Sequence, residues 1–181
     1  MSEASRMIID VISVGLSELH ILQYIADLIS KRFRVDVRTG KRVPIDNFEA
    51  NELRGQYLSS RIVESLIDIK SSNEDVVLGI ADVDLYVPSL NFVFGEADPI
   101  NRAALISIAR LKPSFYGLHN DDDLLLERAG KEAVHELGHV FNLHHCDQAK
   151  CVMFFSNSLT DTDVKEDEFC NRCSRILNTN L

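Results

Sequence analysis

Three absences narrow the possibilities before any motif is read. The chain of 181 residues has no run near the roughly 18 to 20 consecutive apolar residues that a membrane helix requires. Its N-terminal apolar stretch, Met7 to Leu16, is interrupted by Asp10 and reads as a buried strand rather than the core of a secretory leader. A cytoplasmic protein with no membrane partner is the expectation. Basic charge is also scarce: 19 Lys and Arg against 28 Asp and Glu give a formal net charge of −9. A general nucleic-acid binder needs the opposite balance to displace counterions from phosphate, so no nucleic-acid partner is expected. Cysteine is missing from the first 145 residues, and all four fall between Cys146 and Cys173. A disulfide framework is disfavoured in the cytoplasm, whereas clustered cysteines bind metal.

The chain is 45% apolar, enough for one domain with a small appended lobe. Met7 to Val14 has strand length and composition. Leu19, Leu22, Ile25, Ala26, Ile29 and Phe33 follow a helical period, and Phe33, Val35 and Val37 alternate with charged residues as in a half-buried strand. Phe48 to Ile69 reads as a second helix, with Leu58, Ile62, Leu66 and Ile69 on one stripe. Asp75 to Val87, Leu90 to Gly95 and Ala104 to Leu111 read as further strands, and Pro113 and Gly117 mark a loop. Asp121, Asp122 and Asp123 suit the start of a long helix, one as N-cap and all three at the positive end of its dipole. This order predicts an α+β (α/β-like) sheet with helices packed on it.

Chemistry is concentrated after residue 134. Residues 135 to 146 read His-Glu-Leu-Gly-His-Val-Phe-Asn-Leu-His-His-Cys. His135 and His139 are four apart, so on a helix they project from one face and can share a zinc ion. Glu136 lies beside the first ligand without having to bind the metal, which is where a base for zinc-activated water must sit. Catalytic zinc takes three protein ligands and keeps one position open. On a continuing helix a histidine six residues beyond His139 would be roughly 9 Å along the axis and on another face. The chain must therefore turn back, and Asn142 tolerates the left-handed conformation that such a turn uses. Spacing alone leaves His144 and His145 as rival third ligands. His20 and His119 are isolated and read as ordinary surface or structural residues.

Cys146-x4-Cys151 and Cys170-x2-Cys173 form two pairs. Four thiolates make a closed tetrahedral zinc site with no position for water, so its role would be structural, fastening the tail to the end of the helix. Cys146 directly follows His145, so anchoring one would hold the other. Two zinc ions per chain are expected, one catalytic and one structural.

The pattern His135-Glu136-x-x-His139-x-x-Asn142-x-x-His145-Cys146-x4-Cys151-x-Met153, followed by Cys170-x-x-Cys173, resembles the archaemetzincin family of metzincin-clan metallopeptidases. The resemblance favours His145 over His144. It implies a twisted, mixed five-stranded sheet with an edge strand above a cleft, two backing helices and an active-site helix. It also implies Met153 as a methionine turn beneath the zinc, and Leu90 to Gly95 as an edge that pairs with an extended peptide. Residues 1–142 would form the sheet and helix subdomain. Residues 143–181 would form a zinc-stapled C-terminal subdomain carrying the third histidine. Asn142 stands where the clan has glycine. The expected activity is hydrolysis of peptide or protein substrates by a monomer, with Glu136 as general base. The alternative is a zinc-stabilised module that binds peptides or proteins without cutting them.

Overall fold

Every residue of the apolar run Val76–Ala81 is buried, which places it inside a sheet covered on both faces. The computed structural model describes residues 7–73 and 75–181. In chain order the elements are β1 (Ile8–Val14), α1 (Leu19–Phe33), β2 (Asp36–Arg38), β3 (Arg42–Val43), β4 (Ala50–Asn51), β5 (Gln56–Leu58), α2 (Ser59–Ile67), β6 (Val76–Ala81), β7 (Leu85–Tyr86), β8 (Gly95–Asp98), β9 (Ala103–Ser107), α3 (Asp122–Val140), α4 (Leu159–Val164) and α5 (Asn171–Asn180). The main sheet runs β2-β1-β6-β9-β8, with β3 also pairing β1. All its pairings are parallel except β8 with β9. The expected mixed sheet of five strands is this path, and β3 is an addition to it.

Side-chain alternation divides the core between the two faces of the sheet. Val76, Leu78 and Ile80 join the cluster of α1 and α3, whereas Val77 and Ala81 join that of α2. The backing helices therefore lie on opposite faces, with α1 beside the long α3. Of the α1 stripe expected from its period, Leu22, Ile25, Ala26, Ile29 and Phe33 are buried, whereas Leu19 at the first helical position is exposed. Asp121 caps α3 by accepting from the Leu124 N–H at 2.9 Å, which satisfies one orphan donor of its first turn.

Several expected elements differ. The strand read over Asp75 to Val87 ends at Ala81, and Leu85–Tyr86 pairs β5 in a separate sheet. The strand read from Phe33 begins at Asp36, because Phe33 ends α1. The helix read over Phe48 to Ile69 starts only at Ser59, because residues 50 to 58 form the β4–β5 hairpin. Its turn has Gly55 at φ 64 and the Asn51 side chain accepting from the Arg54 N–H at 3.2 Å, local chemistry that outcompetes a helix. Leu90 to Gly95 is largely a turn, and the edge strand β8 begins where that reading ended. The strand expected over Ala104 to Leu111 stops at Ser107 and gives way to a short 3-10 turn.

Candidate active site

The face of α3 toward the end of the sheet carries Glu132, His135, Glu136 and His139, four residues that helical spacing keeps on adjoining turns. The helix stops at Val140, and Asn142 adopts φ 61. Its left-handed turn is closed by Leu143 N–H donating to the Gly138 carbonyl at 3.0 Å, the bond pattern of helices that end on such a residue. The reversal brings His145 back. Its Nε2 lies 3.2 Å from His139 Nε2, which is 3.1 Å from His135 Nε2. His144 does not join this group; it faces a separate hollow beside Pro99 and Ala97.

The contact between the Nε2 atoms of His135 and His139 is not a hydrogen bond. His135 Nδ1 lies 2.7 Å from the Val152 carbonyl and His139 Nδ1 2.8 Å from the Leu143 carbonyl. A carbonyl only accepts, so each Nδ1 carries the proton and each Nε2 presents a lone pair. Lone pairs held this close repel unless a cation stands between them. Ligands 2.0–2.1 Å from a tetrahedral ion would be roughly 3.3 Å apart, close to the spacing found. The donor set and its geometry fit zinc. Burial also depresses the proton affinity of the rings. His135 is pushed well below the usual histidine range by desolvation, and the Lys165 charge adds to it. His139 and His145 shift in the same direction, burial again leading. Neutral imidazole, the form that binds metal, is thus favoured.

Glu136 is buried, and its carboxyl is pushed up to about 8 by desolvation and by the neighbouring carboxyls of Glu132 and Glu96, with Lys165 opposing. It lies across the backbone of β8. A Cβ on Gly95 would stand 2.7 Å from Glu136 Cγ and 2.8 Å from its Oε1, so only glycine leaves the carboxylate room there. The cleft above has a volume of about 370 Å³, with Glu132, Glu136 and the three histidines at its base. Leu90–Val93 form one wall, and Phe155, Ser156 and Asn157 the other. The Phe155 ring also rests 4.7 Å from that of His145.

Met153 is fully buried beneath this arrangement, its Sδ against Gly138 so closely that a side chain at 138 would overlap it. The turn that carries it also supplies the Val152 carbonyl to His135. Behind it the four cysteines converge with no disulfide among them, all sulfurs within 4.8 Å of one another. Cys146 Sγ and Cys170 Sγ are 3.8 Å apart, and sulfurs 2.3 Å from a tetrahedral zinc would be roughly 3.8 Å apart as well. Burial pushes the thiols of Cys151 and Cys173 up. A cation is what would let all four ionise together. The cysteine and histidine groups are joined by the chain itself, through His145 and Cys146, and Cys146 N–H donates to the Met153 carbonyl at 2.8 Å.

The sequence reading did not find several contributors. Lys165 is fully buried and its Nζ lies 3.0 Å from Glu132 Oε1, which also accepts from Thr162 Oγ1 at 3.0 Å. The carbonyls of Val152 and Leu143 carry no sequence signature at all. Gly95 had one, as a glycine at the end of an apolar run. His20 and His119 are exposed and outside the site, as expected.

Comparison with known proteins places this geometry. The description "Peptidase family M54" matches residues 5–179. The archaemetzincin of Methanocaldococcus jannaschii is 48% identical over 75% of this chain and 74% of its own. That of Pyrococcus furiosus is 42% identical over 97% and 95% respectively. Among solved structures, archaemetzincin from Methanopyrus kandleri superposes with a TM-score of 0.83 at 36% identity, covering 99% of this chain and 97% of its own.

Proposed function

The chain belongs to peptidase family M54, the archaemetzincins, and is a zinc metallopeptidase; from that premise we propose that His135, His139 and His145 hold the catalytic zinc and that Glu136 is the general base. Family membership sets aside the non-catalytic binding module. The observation that carries the assignment is the convergence of three imidazole Nε2 atoms, two with their tautomer fixed by a backbone carbonyl, beside a buried carboxylate at the base of a cleft.

When bound, the zinc supplies Lewis acidity toward water and the scissile carbonyl. The rest falls to the chain. The Val152 and Leu143 carbonyls orient the first two histidines, as partners of metal-binding imidazoles do. Glu136 takes a proton from the attacking water and returns it to the leaving amine. Its buried position keeps the carboxylate basic, while a dication on the neighbouring histidines opposes that shift. A peptide substrate is positioned by the outer edge of β8, which pairs only with β9 among the described residues, so an extended chain can add there by main-chain hydrogen bonds.

Cys146, Cys151, Cys170 and Cys173 hold a second, structural zinc, and the turn at Asn142 is the boundary between the sheet and helix subdomain and the stapled C-terminal one. The test combines metal content with turnover on a peptide library. Two zinc ions are expected in the parent and one in a His135→Ala, His139→Ala variant. Glu136→Gln is expected to keep both and lose turnover. Retained cleavage in Glu136→Gln removes that residue as the base, and one zinc in both parent and double variant removes the histidine site.

A further inference from the structure

We propose that Arg54 and Arg110, linked through Gln56 and Asp84, are positioning residues that hold the Leu90–Val93 wall of the cleft in the shape that receives the peptide. The inference rests on the peptidase reading of the site.

This wall lies between β7 and β8 and has little ladder of its own: Leu90 N–H donates to the Val87 carbonyl and Val93 N–H to that of Leu85. Side chains from elsewhere do the rest. Arg54 Nη2 donates to the carbonyls of Leu90 and Asn91 at 3.1 and 2.8 Å. Gln56 Nε2 donates to the same Asn91 carbonyl at 2.9 Å. Arg54 Nε in turn donates to Gln56 Oε1 at 2.7 Å, and its guanidinium lies 4.4 Å over the Tyr86 ring. Gln56 Nε2 reaches Asp84 Oδ2 at 3.1 Å. Asp84 takes a two-pronged bond from Arg110 at 2.6 and 2.7 Å. Arg110 closes the circuit by lying 4.3 Å over the Phe92 ring.

Backbone and side chain of the wall are therefore held by two arginines that share one carboxylate through a glutamine. In a trans peptide the C=O and N–H point opposite ways. Holding the Leu90 and Asn91 carbonyls toward Arg54 thus turns the N–H groups of Asn91 and Phe92 away from it. No backbone acceptor among the described residues takes either N–H, and both residues line the cleft. They are donors whose direction is set before a peptide arrives, so less ordering remains to be done on binding.

Arg54 is exposed, so it can be replaced without opening the core. In the zinc-loaded enzyme Arg54→Met is expected to raise KM for a cleaved peptide about tenfold with kcat within about twofold, the mark of lost substrate binding. Zinc content and melting temperature stay at parent values. Arg54→Lys keeps the charge but not the fork, and is expected to leave KM raised. Amide exchange reads the wall without turnover: faster exchange at residues 90–93 is expected in Arg54→Met. Unchanged KM, recovery in Arg54→Lys, or unchanged exchange each overturns the proposal. A parent that cleaves no peptide while Arg54→Met still speeds exchange overturns the peptidase reading and leaves the wall's dependence on Arg54 standing.

Discussion

Replacing Lys165 by methionine should be among the most damaging single changes outside the proposed metal ligands. The ammonium has no exposed surface, and its partner carboxylate at Glu132 is 3% exposed. At their separation of 3.0 Å the attraction is about 5.5 kcal/mol at an effective dielectric near 20. Removing the lysine leaves the Glu132 carboxylate buried, held among the described residues by Thr162 alone and one helical turn from the Glu136 carboxylate. Breaking such a pair from one side costs about 3–5 kcal/mol, whereas replacing both partners is close to neutral. A domain with about 5–15 kcal/mol in total would lose a large part of it. Urea unfolding of zinc-saturated protein should therefore show Lys165→Met destabilised by about 3–5 kcal/mol. The Glu132→Gln, Lys165→Met double variant should recover to within about 1 kcal/mol of the parent. A single variant within about 1 kcal/mol of the parent, or a double as unstable as the single, would show that the charge pairing does not hold α4 against α3.

Two further outcomes test other parts of the site. In the metal-free protein Glu136 has a folded-state pKa of about 8 against an ordinary 4.5. A raised folded value contributes stability that is complete below pH 4.5 and is lost as pH rises through about 8. Glu136→Gln has no such loss, so its stability relative to the parent should grow across that window and level off above it. A difference that does not vary with pH in metal-free urea titrations refutes the assigned environment. Cys146→Ser should release the structural zinc and, because His145 is the preceding residue, speed loss of the histidine-bound zinc to a chelator. Unchanged retention at the histidine site would show that the two metals are held independently.

How much of this was legible in the sequence depended on how local each cause is. The α1 stripe and the Asp121 cap were readable because a helix repeats its own chemistry every few residues. The left-handed Asn142 was readable because the sixth residue after His139 could meet His135 and His139 only after a reversal. The hairpin at residues 50 to 58 was missed because the stripe Leu58, Ile62, Leu66 and Ile69, which belongs to the α2 region, was extended backwards over residues that share none of it. The decisive signals were Asn51 and Gly55, whose turn geometry a periodic reading ignores. Leu53, counted within that helix, is wholly exposed at the hairpin.

The site itself shows the same division. His135, Glu136 and His139 are tied by one helix, so their joint orientation follows from spacing. What completes them comes from far away in the chain. Val152 holds His135 across 17 residues, Thr162 reaches Glu132 across 30, and Gly95 makes room for Glu136 from another strand. Apart from Gly95, a glycine at the end of an apolar run, these partners repeat no pattern and carry no distinctive residue type. A buried lysine looks like any lysine until the fold encloses it, and a backbone carbonyl has no sequence signature. The residues proposed to do the chemistry are thus readable from their order, while those that set their tautomer, charge and reach become visible only once the tail has folded back beneath α3.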